Sequence, residues 1–255
     1  MLTPEDQKRY SRQILLPTIG PEGQARLGRS RVAVAGCGGL GSVLSQLMVR
    51  MGVGWVTVID GDRPDATNLH RQLLYDEADV AAGLSKAQTA AEKLRRINSQ
   101  AEVVGIVERM DAANADRLLA GHEVILDGTD NLSTRYLLNE WSISNGIPWV
   151  YGAVMFAQGM MLVIRPEKGS CLACLYPEPT AETAAAAPLP IFPPAPVAIA
   201  CLQATEAVKL LLQKPDVNPD LVVLDLWDGS QQRIPIRRNP ECTCCGQHRF
   251  TRLNR

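Results

Sequence analysis

The sequence predicts an α/β fold: a doubly wound, mostly parallel sheet that continues into antiparallel strands. Three observations carry this reading. Compact apolar runs alternate with helical patterns through the first half of the chain, the order that lays parallel strands under crossover helices. The first of these runs leads directly into Gly36-Cys37-Gly38-Gly39-Leu40-Gly41 and then a helical pattern, the layout of a Rossmann-like nucleotide turn. The later apolar runs no longer alternate one for one with helices, which predicts antiparallel pairing at the far side of the sheet.

Taken in order, Thr3-Pro4-Glu5-Asp6 marks a helix start, with a threonine cap, proline at the first helical position and acids in the first turn. That helix is expected to run to about Leu16 and to carry Arg9, Tyr10 and Arg12. Strands follow at Arg31–Ala35, Trp55–Asp60, Glu102–Val107 and Glu123–Asp127, with another from Trp149. Each is nearly continuous in apolar residues, as for strands buried on both faces. Helical patterns lie between them at Leu40–Met51, Ser85–Asn98, Asn114–Ala120 and Leu132–Asn145. Met160–Arg165, Leu221–Trp227 and Gln232–Arg237 are the later short strands. The Pro- and Ala-rich stretch 177–197 is expected to be a crossover loop, because its prolines forbid a long helix or a central strand. A helical pattern resumes at Ala198–Leu212. No internal repeat is visible, so residues 1–255 are expected to form a single domain.

Composition narrows the function. The chain has 255 residues, 46% of them hydrophobic, enough for one large core. A formal net charge of -1 argues against a nucleic-acid binder, which would need a basic excess. No apolar run approaches the roughly 20 residues of a membrane span. Glu5, Asp6, Lys8 and Arg9 stand where an export signal needs apolar residues. Seven cysteines, four of them in two spaced pairs, fit a reducing compartment and a metal site better than disulfides. A cytoplasmic protein is expected.

Gly36, Gly38 and Gly41 allow a tight turn and close approach of phosphate to backbone N–H groups, with Gly39 and Leu40 between them. Asp60 ends the next strand, where an acid can accept hydrogen bonds from ribose hydroxyls. These features fit an NAD-dependent oxidoreductase about as well as an ATP user. Arg71 and Lys86 shift the balance, since a redox site does not need them. Breaking a triphosphate between its α- and β-phosphates builds charge on the departing pyrophosphate, and fixed cations stabilise that charge. Asp130 lies just past the strand Glu123–Asp127, at the carboxyl edge where ligands of open α/β sheets bind, and an acid there can hold magnesium. Taken singly, Arg71 could be a solvated loop residue, Lys86 a residue near a helix start and Asp130 a helix cap.

Cys171-Leu172-Ala173-Cys174 and Cys242-Thr243-Cys244-Cys245 are two Cys-x-x-Cys pairs far apart in sequence. Four thiolates from Cys171, Cys174, Cys242 and Cys245 would form a closed structural zinc site. A redox pair or unligated buried thiols are the rival readings. Cys37 occupies a variable position of its loop and reads as a small apolar residue.

In these motifs the chain resembles the ThiF/MoeB/HesA adenylyltransferases, bacterial relatives of the ubiquitin-activating enzymes. The resemblance runs from Arg9-Tyr10-Ser11-Arg12-Gln13 through the glycine loop, Asp60, Asn68-Leu69-His70-Arg71-Gln72, Lys86 and Asp127-Gly128-Thr129-Asp130-Asn131. It continues through Leu202-Gln203-Ala204 and Glu206-Ala207 to the cysteine pairs. It implies ATP over the glycine loop, Asp60 on the ribose, Asp62, Asn68, Arg71, Gln72, Lys86 and Asn131 about the nucleotide, and magnesium near Asp130. It also implies a homodimer in which Arg12 reaches the partner subunit's site. The implied reaction is attack by the C-terminal glycine carboxylate of a small ubiquitin-like sulfur carrier, ending in Gly-Gly, on the α-phosphate of ATP. Adenylation of a small-molecule carboxylate, an NAD-dependent oxidoreductase and a nucleotide-binding scaffold are the competing classes.

One departure from the family pattern stands out. Many relatives carry a cysteine in the crossover loop, and it would fall near Ala186, but Thr183–Pro196 contains none. Cys201, at the start of the next helix, is the nearest thiol. The expectation is activation without a covalent link to the loop.

Overall fold

A computed structural model describes residues 2–177 and 190–253. Among these, β1 (Arg31–Ala35), β2 (Trp55–Ile59), β3 (Glu102–Ile106), β4 (Val124–Asp127), β5 (Trp149–Met155), β6 (Gln158–Ile164), β7 (Leu221–Asp225) and β8 (Ser230–Ile234) form one sheet. Its order is β3-β2-β1-β4-β5-β6-β7-β8. The strands from β3 to β5 pair in parallel, and β5 to β8 in antiparallel fashion. Strand order reverses between β1 and β4, so their carboxyl ends diverge into a crevice where ligands of such sheets bind.

Alternation along the strands explains the two-sided core. Val32 and Val34 of β1 join one apolar cluster, Ala33 and Ala35 the other. The helices α4 (Gly41–Arg50), α6 (Lys86–Ile97) and α10 (Pro194–Leu211) cover the first face through Leu44, Met48, Leu94 and Ala204. The helices α7 (Ala115–Leu119), α8 (Leu132–Asn145) and α9 (Leu172–Leu175) cover the other, through Leu118, Leu138, Trp141 and Leu172. Strands sandwiched in this way read as continuous apolar runs, which is why the parallel half was visible in the sequence.

The N-terminal helix is shorter than expected. It ends at Arg9 as α1 (Pro4–Arg9), and a separate turn, α2 (Ser11–Ile14), carries Arg12. Between them Tyr10 is buried, and its hydroxyl accepts a hydrogen bond from Asn98 Nδ2 at 2.9 Å. That long-range anchor turns the chain where local propensity would continue it. The expected cap at Thr3 is present, with Thr3 and Asp6 bonding each other's backbone N–H. Three further helices are additional to the sequence reading: α3 (Gly20–Leu27), the short α9, and α5 (Glu77–Ala82), the last begun by a reciprocal Asp76/Asp79 capping box.

The expected loop 177–197 is corrected at its far end, because α10 begins at Pro194 rather than Ala198. Pro194 and Pro196 fall in the first turn, where the N–H groups have no helical partner and proline costs nothing. Ala186 and the rest of 178–189 lie outside the described residues. Strand β8 stops at Ile234 instead of Arg237, because Pro235 cannot donate to the ladder. Among the described residues no helix is long and apolar enough to cross a membrane.

Candidate active site

The crevice at the β1/β4 reversal opens into a cavity of about 800 Å³, ample for a nucleotide. Its floor is the turn between β1 and α4. Gly36 has φ +83°, and a Cβ there would meet the Gly128 carbonyl at 2.6 Å. At Gly41 a Cβ would meet the Gly36 carbonyl at 1.9 Å. Glycine at both positions therefore lets the β1 turn pack against the β4 turn without a side chain between them. The N–H groups of Gly38, Gly39 and Leu40 donate to no acceptor among the described residues, so the start of α4 presents free donors to the cavity.

Asp60 braces this turn. Its Oδ2 accepts from Cys37 N at 2.7 Å, and its Oδ1 accepts from Asp62 N at 2.8 Å. Lys86 begins α6 behind the cap Ser85 and is buried, 7% exposed, with Nζ 3.7 Å from Asp62. Asp62 also pairs with Arg109 at 3.0 Å. Tyr75 ties the start of α6 to the glycine loop: its buried hydroxyl lies 3.1 Å from the Cys37 carbonyl and 3.2 Å from the Lys86 carbonyl. Arg71 follows a single 3₁₀ turn (Ala66–Asn68), and its Nη2 donates to Asn68 Oδ1 at 2.6 Å. Gln72 is buried with its Oε1 unpartnered.

Of the residues singled out in the sequence, Gly36, Gly38, Gly39, Leu40, Asp60 and Asp62 line this cavity. So do Arg71, Gln72, Lys86, Asp130 and Asn131. Gly41 lies beneath the turn, and Asn68 acts on Arg71 rather than on the cavity itself. Arg12 is exposed on α2 and does not line the cavity. Asp130 is exposed to it and makes no ion pair or hydrogen bond among the described residues. Asn131, not Asp130, caps α8, accepting from Thr134 N at 2.9 Å.

The sequence reading missed Arg135 and the role of Asp127. Asp127 is fully buried at the end of β4, and Arg135 Nε lies 3.2 Å from its Oδ2. Burial pushes the Asp127 carboxyl up, and the Arg135 guanidinium opposes that shift. An arginine four residues into a helical pattern gave no periodicity signal to separate it from a surface cation.

On the face of the sheet covered by α8, the Sγ atoms of Cys171, Cys174, Cys242 and Cys245 all lie within 4.8 Å of one another. Three separations are 4.0, 3.6 and 3.4 Å. A zinc–sulfur bond of about 2.3 Å gives a tetrahedral edge of roughly 3.8 Å, so the four sulfurs fit that metal. Hydrogen bonds from Cys244 and Cys245 pull the Cys171 thiol down, while the bond to Cys171 pushes Cys245 up. Crowded thiols cannot all ionise unless a cation compensates them. Cys244 is not one of the four, and its Sγ accepts from Asn139 Nδ2 at 3.2 Å.

Burial pushes the Cys37 thiol up to about 12, so it stays protonated and inert at neutral pH. Cys201 is exposed. Iodoacetamide at neutral pH should therefore label Cys201 in the native protein and spare Cys37, read by peptide mass mapping. Labelling of Cys37 before unfolding would contradict its buried placement.

A profile of the ThiF family matches residues 10–244. The SAMP-activating enzyme E1 of Haloferax volcanii is 39% identical over 242 residues, covering 94% of this chain and 88% of that protein. The sulfur carrier protein adenylyltransferase of Thermus thermophilus is 38% identical over 253 residues, covering 96% and 92%. The sulfur carrier protein ThiS adenylyltransferase of Bacillus subtilis is 36% identical, covering 96% and 74%. Among solved structures, E. coli MccB with ATP superposes with a TM-score of 0.81 at 22% identity, covering 96% of this chain and 76% of that one. That likeness concerns the fold. The family match over nearly the whole chain and the level of identity to these relatives lead to one conclusion: this chain belongs to the ThiF family.

Proposed function

We propose that the protein is an ATP-dependent adenylyltransferase. It activates the C-terminal glycine carboxylate of a small ubiquitin-like sulfur carrier ending in Gly-Gly, for sulfur transfer in cofactor synthesis. One observation carries this reading: free loop N–H groups, Arg71, Lys86 and the unpaired Asp130 converge on one cavity. The names of the Haloferax, Thermus and Bacillus relatives support the choice of substrate.

The chemistry follows from charge. A carboxylate oxygen of the carrier attacks the α-phosphorus, the bond to the bridging oxygen breaks, and pyrophosphate leaves with that electron pair. The product is an acyl-adenylate, and no proton need be removed because the nucleophile is already an anion. The chain aligns two anions and offsets their repulsion. Loop N–H groups and Lys86 hold phosphate oxygens, Arg71 is steadied by Asn68, and Asp60 accepts from the ribose while bracing the loop. Asp130 fits magnesium, since its exposed carboxylate is unpaired; held there, the ion would neutralise phosphate charge. Zinc held by the four cysteines would have a structural role, because four thiolates would leave no position for substrate. Hydride transfer by an NAD-dependent oxidoreductase would need neither the two cations Arg71 and Lys86 nor the acid Asp130. Stabilisation against heat by ATP with magnesium, and none by NAD, is the expected result; the reverse would favour the oxidoreductase. The free thiols support a reducing cytoplasm.

The Arg12 side chain stands outside the cavity of its own chain. We place it in the site of a partner subunit across a two-fold axis, making a homodimer. Neither Arg12→Ala nor Lys86→Ala protein should be active alone. After statistical mixing about a quarter of the sites regain both cations, because one site of each mixed dimer is complete. An activity equal to the weighted average of the separate variants would rule out a shared site.

A further inference from the structure

The Arg135–Asp127 pair has no part in the reaction as proposed, yet Arg135 lines the cavity, as Asp130 does, with Asp127 buried behind it. Arg135 Nη2 donates to the Thr129 carbonyl at 2.6 Å and to the Gly152 carbonyl at 2.9 Å. Asp127 Oδ1 accepts from Thr129 N at 2.9 Å and from Thr129 Oγ1 at 2.7 Å. Thr129 is thus gripped at its N–H, its hydroxyl and its carbonyl by one ion pair. The next residue is Asp130, whose side chain has no protein partner among the described residues. Its position therefore depends on the backbone of this turn.

Charge separates this arginine from the phosphate-facing cations. Arg135 is buried against a fully buried carboxylate, so its charge is largely spent on that partner. Arg71 has no acidic partner among the described residues. The bond to Gly152 extends the clamp to β5, whose Val154 lines the same cavity. One guanidinium thereby ties together the β4 turn, the first turn of α8 and β5.

We propose that Arg135 is a positioning residue for Asp130, setting through Thr129 and Asp127 the turn from which Asp130 meets a divalent cation on the nucleotide. This rests on the ATP and magnesium reading above. Partners of this kind act on metal affinity rather than on the nucleotide itself, typically by roughly ten- to a hundredfold.

The test is calorimetric ATP binding to the full chain, with magnesium and again with EDTA. The proteins compared are wild type, Arg135→Lys, Asp127→Asn, Asp130→Asn and the double variant Asp130→Asn/Arg135→Lys. Arg135→Lys keeps a cation beside Asp127, and Asp127→Asn keeps the shape of the carboxylate. Each should lose about tenfold or more of the magnesium enhancement with unchanged affinity in EDTA. The double variant should lose no more than Asp130→Asn, because both act through one group. Full enhancement in Arg135→Lys, equal losses with and without magnesium, or an additive double variant would each overturn the proposal. So would failure of both Arg135→Lys and Asp127→Asn to fold, read by circular dichroism, which would assign the pair to structure alone. If Asp130→Asn itself keeps the enhancement, the magnesium reading of Asp130 fails first and takes this inference with it.

Discussion

Lys86→Ala should lower carrier-dependent exchange of labelled pyrophosphate into ATP by roughly a hundredfold or more, the scale of losing one preorganised charge-stabilising donor. Burial makes this the largest expected effect. Lys86 is 7% exposed at the start of α6, where charge on a departing pyrophosphate is poorly screened by water. Arg71→Ala should follow, with a smaller loss because Arg71 is only half-buried. The cost to folding is expected to be slight. Asp62, the acidic partner of Lys86, is exposed and keeps Arg109 at 3.0 Å, and such surface pairs contribute little. Exchange should therefore collapse while the melting temperature stays put. Unchanged exchange in both variants would remove the two cations from the site.

Loss of zinc should have the second largest effect, on stability. Beyond β8 the chain to Leu253 forms turns rather than regular elements, held to the body by its cysteines, by bonds to α8 and by Ile236, Phe250 and Leu253 packed on the core. Glu140 of α8 accepts from Arg252 N at 2.7 Å and Leu253 N at 3.1 Å. Asn139 of α8 accepts from Leu172 N at 2.8 Å and donates to Cys244 Sγ. Structural zinc contributes on the order of 10 kcal/mol of binding free energy in small metal-folded peptides, and binding is coupled to folding. Chelation, or Cys242→Ser, should expose the C-terminal segment to proteolysis well before the nucleotide half. Elemental analysis should give one zinc per chain. Reduced, freshly purified protein with none would exclude the site.

The sequence was most readable where physics is local. Parallel strands buried on both faces leave unbroken apolar runs, and a loop that must approach both phosphate and β4 leaves glycines at 36 and 41. Spacing alone paired Cys171 with Cys174 and Cys242 with Cys245. What escaped notice depends on contacts between distant segments. Tyr10 breaks the first helix because Asn98 meets its hydroxyl, a partner 88 residues away. Arg135 became distinguishable from a surface arginine only when the β4–β5 register brought Gly152 beside Asp127. Asn68, placed about the nucleotide by the family resemblance, also steadies Arg71 through its carboxamide, a role the sequence did not show. The early start of α10 follows from a different rule: prolines that forbid a helix interior are tolerated in a first turn.

Transfer of label from ATP to a carrier protein ending in Gly-Gly tests the central claim most directly. The protein, the carrier and magnesium are mixed with ATP labelled at the α-phosphate, and in parallel with ATP labelled at the γ-phosphate. The expected result is α-label on the carrier as an acyl-adenylate, with γ-label recovered as pyrophosphate in equal amount. No transfer of α-label to a carrier with a free C-terminal glycine, while ATP remains bound, would contradict activation of that substrate.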